Sequence, residues 1–562
     1  MGTLTSVTGA NGAVSTTYAE YDTFGRLWKL IKPGDTSALP TIRAEYADTE
    51  LPFRYTTFKR IESGVSGSVQ MASQFYNGLG QKIQTKTETD NNTQSVVTDI
   101  QYNTVGLVKQ ESQPRFLPDT DVTIAQYTPT PASGVLWTTK IYDAVGRLLN
   151  LTTPDSATTM TRYWLAPNGT AVSTTDPKGH KTRHESDVFG RLNKVVEFSG
   201  ESTYSPYATT TYSYSPLDLL TQVTDGQSNV TTMTYDSLGR KLTMADPDMG
   251  AWAYTYDTGG NLLTQRDAKN QTITFGYDAL SRLTSKAVPA SGTVTYTYDQ
   301  IDLPKHRYGR GQRTSMTSPS GTRDWGYNQR GLLNHEELTL DGTTYVTDRT
   351  YLSNEQVKTL TYPTGEVLTY AYNDAGQQKS ITSSYGNTYL TNTTYDALGQ
   401  TLTQGFGNAV TTTSTYETLS KRLSSIVAVG ANGPSNPVFH RSYRYDVAGN
   451  VQNITNAQTS ETLRYGYDHR DRLTAACAVS NADSTTCLGG ITFNQGYTYD
   501  TIGNLTNKAG VAYTYPANGG VRPHAVSTVG GQSYAYDNNG NLLTGGGRTY
   551  TCLLYTSDAA DE

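Results

Sequence analysis

Along most of this chain polar and apolar residues alternate one for one in short stretches, such as Thr232-Met233-Thr234-Tyr235 and Lys241-Leu242-Thr243-Met244. Thr, Tyr and Val dominate these stretches, and a period of two with that composition predicts half-buried β-strands. No segment keeps a helical period. Between paired stretches stands a recurrent phrase, Tyr-Asp-x-x-Gly-(Arg/Asn)-x-Leu, seen in Tyr235-Asp236-Ser237-Leu238-Gly239-Arg240-Lys241-Leu242. Further clear copies begin at Tyr21, Tyr142, Tyr256, Tyr277, Tyr395, Tyr445, Tyr467, Tyr499 and Tyr536. Tyr214, Tyr235, Tyr256, Tyr277 and Tyr298 are each 21 residues apart. A fixed period in this range is the signature of a repeat architecture.

The phrase reads as a turn. Asp suits the first position of a type I turn, where its carboxylate accepts backbone N–H groups ahead of it. Gly follows where φ must be positive, and such a turn is a common hairpin connection with a bulge. The expected turn set is Tyr235, Asp236, Gly239 and Arg240, with Tyr256, Asp257, Gly260, Tyr277, Asp278, Tyr395, Asp396 and Gly399 as equivalents. Tyr and Leu are expected to meet across each hairpin. Second turns such as Asp176-Pro177-Lys178-Gly179 and Asp246-Pro247-Asp248-Met249-Gly250 close the period. One repeat is then strand, Asp turn, strand, Pro/Gly turn. The predicted fold is all-β: repeated antiparallel hairpins forming a long spiralling sheet, a hollow shell or part of one.

A chain of 562 residues ordinarily holds several domains, but a uniform repeat shares one sheet and overrides that expectation. Residues 1–140 use the same vocabulary irregularly, with Pro114, Pro118, Pro129 and Pro131 marking a break; residues 141–551 keep the rhythm. Residues 552–562 lack the phrase and read as a translated sequencing adapter, so the chain is expected to be a metagenomic fragment of a longer protein. Tyr is abundant, 42 copies against 11 Phe, which suits a sheet with a wet face. The net charge of −6 is modest, and half of it lies in Asp558, Asp561 and Glu562, which argues against nucleic-acid binding by the wall. There is neither an apolar run of membrane-spanning length nor a signal-peptide pattern after Met1.

Few residues suggest chemistry. His180 and His184 have the spacing of a helical metal pair, but on a strand they stand about 13 Å apart, and both are expected to face solvent. Each repeated Asp already caps a turn, and no nucleophile elbow or phosphate loop is present. No catalytic residue, metal ligand or cofactor is therefore expected. Cys477 and Cys487 lie in an interval longer than the period, and Ala475 to Gly490 is expected to protrude as a loop. The two either form a disulfide across its base, which implies an oxidising compartment, or remain free thiols. A basic stretch carrying Lys305, Arg307, Arg310 and Arg313 is either a solvated insertion or a contact loop for an acidic polysaccharide or cargo.

The phrase, its period and its paired turns resemble the YD repeats of the Rhs family, over residues 15–551. That family takes in bacterial Rhs polymorphic toxins, wall-associated proteins, the C component of insecticidal toxin complexes and the animal teneurins. The resemblance implies a secreted or cell-surface β-shell that encloses and delivers a C-terminal effector of the same polypeptide. An adhesin whose repeats bind carbohydrate or neighbouring cells is the alternative. The Asp-Pro-x-Gly-Leu segment at which bacterial members release their toxin is not matched after Tyr536.

Overall fold

The computed structural model describes residues 5–550 apart from 90–93, 118–123, 290, 304, 432, 434, 485–486 and 488–492. The segment read as adapter therefore lies outside the described residues. Strands account for 54% and helix for 1% of the chain, in one antiparallel sheet of 45 strands that is not closed into a barrel. The all-β expectation holds. A second sheet of three short strands, Ala535–Tyr536, Leu542–Gly545 and Arg548–Thr549, follows near the end of the described chain.

Successive strands pair as hairpins. Val230–Tyr235 lies against Lys241–Asp246, which lies against Gly250–Tyr256, and so on at the expected period. The phrase carries a register shift at its Tyr: Thr234 opposes Thr243, but Tyr235 opposes Lys241. The same bulge recurs at Tyr256, Tyr277, Tyr351 and Tyr395. It changes one expectation. The residue facing Tyr is six positions on, which is Leu262 for Tyr256 and Leu283 for Tyr277, yet Lys241 for Tyr235. Leu242 is one position out of register and 37% exposed, because adjacent strand residues point to opposite faces.

The strands gather into two compact units. The first comprises residues 1–141, 152–155 and 296–440. In it the simple hairpin order breaks where Pro114 was expected to interrupt it. Ser95–Tyr102 pairs with Lys82–Glu88, with Val108–Ser112 and with Arg115–Leu117. Its buried interior mixes Ala44, Phe75 and Val97 with Thr56, Ser73, Gln84 and Asp99. The polar members are paired: Thr56 and Ser73 hydroxyls lie 2.8 Å apart, and Asp99 meets Arg115 at 2.6 Å. Such pairing offsets the cost of removing these groups from water.

The second unit comprises residues 142–151, 156–295 and 441–562. Its interior includes Ala171, Val196, Met233, Asn453 and the run Ala476–Val479. That run belongs to the strand Leu473–Val479, so the loop expected from Ala475 begins only after Val479. Cys477 is joined to Cys487 with Cα atoms 5.7 Å apart.

Within each unit the sheet returns beside itself. In the first, Asn11 Nδ2 donates to the Tyr308 carbonyl at 2.8 Å across 297 residues of sequence, and Gln70 Nε2 to that of Ala375 at 2.6 Å across 305. In the second, Tyr207 Oη donates to the Asp500 carbonyl at 3.0 Å across 293 residues, and Asn539 Nδ2 to Asp267 Oδ2 at 2.6 Å across 272. These seams hold successive courses of the sheet together. The sequence gives no local sign of them.

Candidate functional site

The candidate site is the repeated turn, whose phrase residues have distinct physical tasks. In the Tyr235 copy, Asp236 Oδ1 accepts the backbone N–H groups of Leu238 and Arg240, each at 2.9 Å. Its Oδ2 accepts Arg240 Nε at 2.6 Å. The Arg240 backbone N–H and guanidinium hold this carboxyl below the usual carboxylate range against the opposing effect of desolvation. Gly239 donates to the Asp236 carbonyl at 3.1 Å with φ at +80°, in the left-handed region that a Cβ disfavours. Asp257 is held in the same way by Asn261, Asp278 by Arg282 and Asp396 by the Gln400 N–H. Gly260 and Gly399 also have positive φ, at +92° and +81°.

Tyr and Arg work between repeats. Tyr235 Oη donates to the Leu220 carbonyl of the preceding hairpin at 2.9 Å. Tyr256 Oη reaches Lys241 at 3.0 Å, Tyr395 Oη reaches Gln378 at 2.6 Å, and Tyr467 Oη reaches Val451 at 2.7 Å. Burial raises the phenol pKa of Tyr256 and Tyr395, so each stays a protonated donor. Arg240 points the other way: Nη1 donates to the Asp257 carbonyl at 2.8 Å, and its guanidinium lies 5.0 Å from the Tyr256 ring centre. Arg26 over Tyr46, Arg191 over Tyr214 and Arg472 over Tyr499 repeat this stacking. The copies at Tyr214, Tyr235 and Tyr467 thus reach the hairpin before them through Tyr, and Arg191, Arg240 and Arg472 reach the hairpin after them, a task that Gln400 takes over in the Tyr395 copy. The phrase predicted as a hairpin fastener is also the fastener between hairpins.

The basic stretch lies along the seam of the first unit. Lys305 Nζ is 2.5 Å from Glu337 and 3.2 Å from Asp324, and the Glu337 contact above all raises its pKa. Arg307 lies over Tyr308, and Arg313 stacks on Trp325 at 4.9 Å. The backbone of Arg310 exchanges hydrogen bonds with the Asn11 side chain. Two cavities border the stretch. One, of about 310 Å³, is lined by Arg307, Tyr308, Arg330 and Pro33; the other, of about 440 Å³, by Arg310, Asn11, Lys32 and Glu355.

The residues that hold this seam were not foreseen. Arg330 and Asp35 side chains are 9% and 0% exposed, and Nη2 lies 2.9 Å from Oδ2. Arg330 also donates to the carbonyls of Pro33 and Ser353. Asp35 accepts the hydroxyls of Thr41, Ser63 and Ser353. Burial pushes this carboxyl up, but those hydroxyls and Arg330 outweigh it, and its pKa is lowered. Arg330 stands in Tyr327-Asn328-Gln329-Arg330-Gly331, a looser form of the phrase with Asn for Asp, at the variable position before the Gly. Of the two histidines expected at the surface, His184 is exposed, but His180 is 9% exposed and lies at the seam of the second unit.

Residues 170–313 match the family model described as Teneurin YD-shell. That segment carries the sequence pattern of a YD-shell. Among solved structures, the fold of this chain resembles the crystal structure of TcdB2-TccC3-Cdc42 with a TM-score of 0.75 and 18% identity, covering 96% of this chain and 37% of that one. For the crystal structure of TcdB2-TccC3 the TM-score is 0.73 with 18% identity, covering 96% and 35%. The Photorhabdus luminescens Tc holotoxin pore gives 0.69 with 19% identity, covering 88% and 29%. This chain therefore spans about a third of the length of the solved chains that it matches. No curated protein sequence matches it. Among the described residues no helix is long and apolar enough to cross a membrane.

Proposed function

We propose that this chain is part of the wall of a secreted bacterial Rhs-type shell, which encloses and delivers a C-terminal effector of the same polypeptide and has no catalysis of its own. The observation that supports this most is the bonding of neighbouring hairpins to one another through phrase residues. A sheet whose hairpins are fastened to one another by Tyr hydroxyls and by Arg, Gln or Asn side chains, and whose courses are fastened again at seams, suits a container better than a surface that remodels on binding. Pairing nearly every strand on both sides also leaves few edges open to other chains. The likeness to TcdB2-TccC3 structures supports the same reading.

The test is to recover the coding sequence beyond Thr551 and express the extended protein. An Asp-Pro-x-Gly-Leu segment followed by a short variable domain that resists protease until the wall is denatured supports the container. A wall anchor, or a downstream domain digested as fast as a free one, refutes it.

One feature favours the adhesin as a second reading. Tyr362, Tyr385 and Tyr389 are 40%, 60% and 46% exposed, and Tyr389 Oη bonds Glu366 at 2.7 Å. Exposed rings beside a carboxylate can stack on a sugar and bond its hydroxyls. Glycan-array binding lost in Tyr385→Ala supports that reading, and equal binding by both proteins removes it.

A further inference from the structure

The seam of the second unit brings together the side chains of Asp176, His180 and Asp471. Asp176 opens the Asp-Pro-Lys-Gly turn between the strands Gly169–Thr175 and Lys181–Asp187. Its Oδ1 is committed to the turn, accepting Lys178 N at 2.9 Å and His180 N at 2.7 Å. Its Oδ2 lies 3.2 Å from His180 Nδ1. From the far side of the seam, Asp471 Oδ1 lies 3.3 Å from the same nitrogen. Asp471 occupies the Gly position of the Tyr467 phrase, with φ at +57°.

His180 is the group that needs explaining. It is 9% exposed, and Nδ1 makes no hydrogen bond although two carboxylate oxygens stand beside it. A buried ring nitrogen beside two anionic oxygens calls for a positive centre among them, a proton or a metal ion, and no hydrogen bond is formed there that would mark a proton. The three ligand atoms lie within 4.8 Å of one another. Around tetrahedral Zn²⁺, with bonds of about 2.0–2.1 Å, neighbouring ligand atoms stand about 3.3 Å apart. The two separations at His180 are 3.2 and 3.3 Å. One imidazole with two carboxylates suits a first-row divalent cation better than Ca²⁺ or Mg²⁺, which favour all-oxygen sets.

We propose that Asp176 Oδ2, His180 Nδ1 and Asp471 Oδ1 bind a divalent transition-metal ion, Zn²⁺ foremost, that clasps two courses of the wall together. A water completes the fourth position. Two neighbours tune the site. Asn450 Nδ2 donates to Asp471 Oδ1 at 2.6 Å and orients that carboxylate. Lys178 Nζ, 3.7 Å from the same oxygen, opposes the cation, although Asp446 at 3.1 Å draws it aside.

The test uses the full 562-residue chain stripped with EDTA and titrated with Zn²⁺, followed by calorimetry and thermal melting. One equivalent binds and the melting temperature rises by several degrees. His180→Gln and Asp471→Asn each weaken binding at least tenfold and abolish the rise; His184→Gln, on the exposed side of the neighbouring strand, changes neither. Lys178→Met tightens binding several-fold. Should His180→Gln fail to fold, Co²⁺ added to the unaltered chain decides the matter, since a tetrahedral site gives intense visible absorption that Zn²⁺ displaces. Absence of both Zn²⁺ binding and that absorption overturns the proposal, as does binding indifferent to His180→Gln or Asp471→Asn.

Discussion

Removing Asp35 should open the seam of the first unit without unravelling the hairpins beside it. The carboxylate accepts four hydrogen bonds, Ser63 and Ser353 on Oδ1 and Thr41 and Arg330 on Oδ2, at 2.7–3.0 Å. Asp35→Ala leaves the 9%-exposed Arg330 guanidinium without its counter-ion. Breaking a buried pair by removing one partner costs about 3–5 kcal/mol. Arg330 keeps its bonds to the Pro33 and Ser353 carbonyls, which places the expectation near the lower figure. Asp35→Asn keeps the shape and loses the charge, at about 1.5–3 kcal/mol. A chain of this size is unsuited to a single global unfolding transition, so the readout must be local.

The Ser353 amide supplies one, because it donates to the Ile61 carbonyl across the seam at 2.9 Å. A loss of about 3 kcal/mol should speed its native-state hydrogen exchange roughly 100-fold. Amides in the Val357–Thr361 strand should change far less. Arg330→Met should have a comparable effect, and the double variant should cost little more than either single one, a coupling of about 2 kcal/mol or more. Because the Asp35 pKa is lowered in the folded state, its stabilisation is complete above about pH 4 and is lost as pH falls through the folded value. Acceleration below fivefold in Asp35→Ala, or strictly additive single variants, would refute the assignment of this pair as the fastener of the seam.

Other expectations are narrower. Tyr256→Phe removes the Oη bond to the Lys241 carbonyl and keeps the ring under Arg240, so it should cost about 0.5–1.5 kcal/mol in local exchange, whereas Tyr256→Ala should cost several times more. Gly239→Ala meets only ordinary contact with Leu219 and pays chiefly for φ +80°, about 1–2 kcal/mol; Ser281→Gly, at φ +61° in the equivalent place, should stabilise, and equal effects of opposite sign would be absent if the turn were not left-handed. Glu88 lines a cavity of about 230 Å³, where burial first and Asp374 second push its carboxyl up to about 7 despite the Met71 N–H that it accepts. A raised acid pKa means a folded state penalised above pH 7 and relieved as pH falls towards about 4.5, so Glu88→Gln should flatten that dependence and gain about 1 kcal/mol at pH 8. Thiol titration of the denatured, unreduced chain should find one free group among its three cysteines; three would remove the Cys477–Cys487 bond, whose loop of 10 residues contributes about 2.5–3 kcal/mol.

What the sequence determined by itself was everything whose cause lies within one repeat. Asp236 accepts the N–H groups two and four residues ahead, and Gly239 supplies the positive φ between them. Those contacts are fixed by chain geometry, so the turn, the hairpin and their period were legible from spacing alone. The register was legible only to within one residue, because the bulge that the Gly creates shifts the partner of Tyr235 from Leu242 to Lys241.

The tertiary structure decided everything that depends on a neighbour. Whether a Tyr hydroxyl faces solvent or the carbonyl of the previous hairpin follows from how hairpins stack, and so does the direction of Arg240. Seams lie further still beyond a local reading. Arg330 and Asp35, or His180 and Asp471, meet because the sheet returns beside itself after some three hundred residues, and that distance is the sum of many small twists and insertions. His180 looked like a surface histidine on an ordinary strand. Only the return of the Tyr467 turn beside it buries the ring and puts a second carboxylate at its unbonded nitrogen.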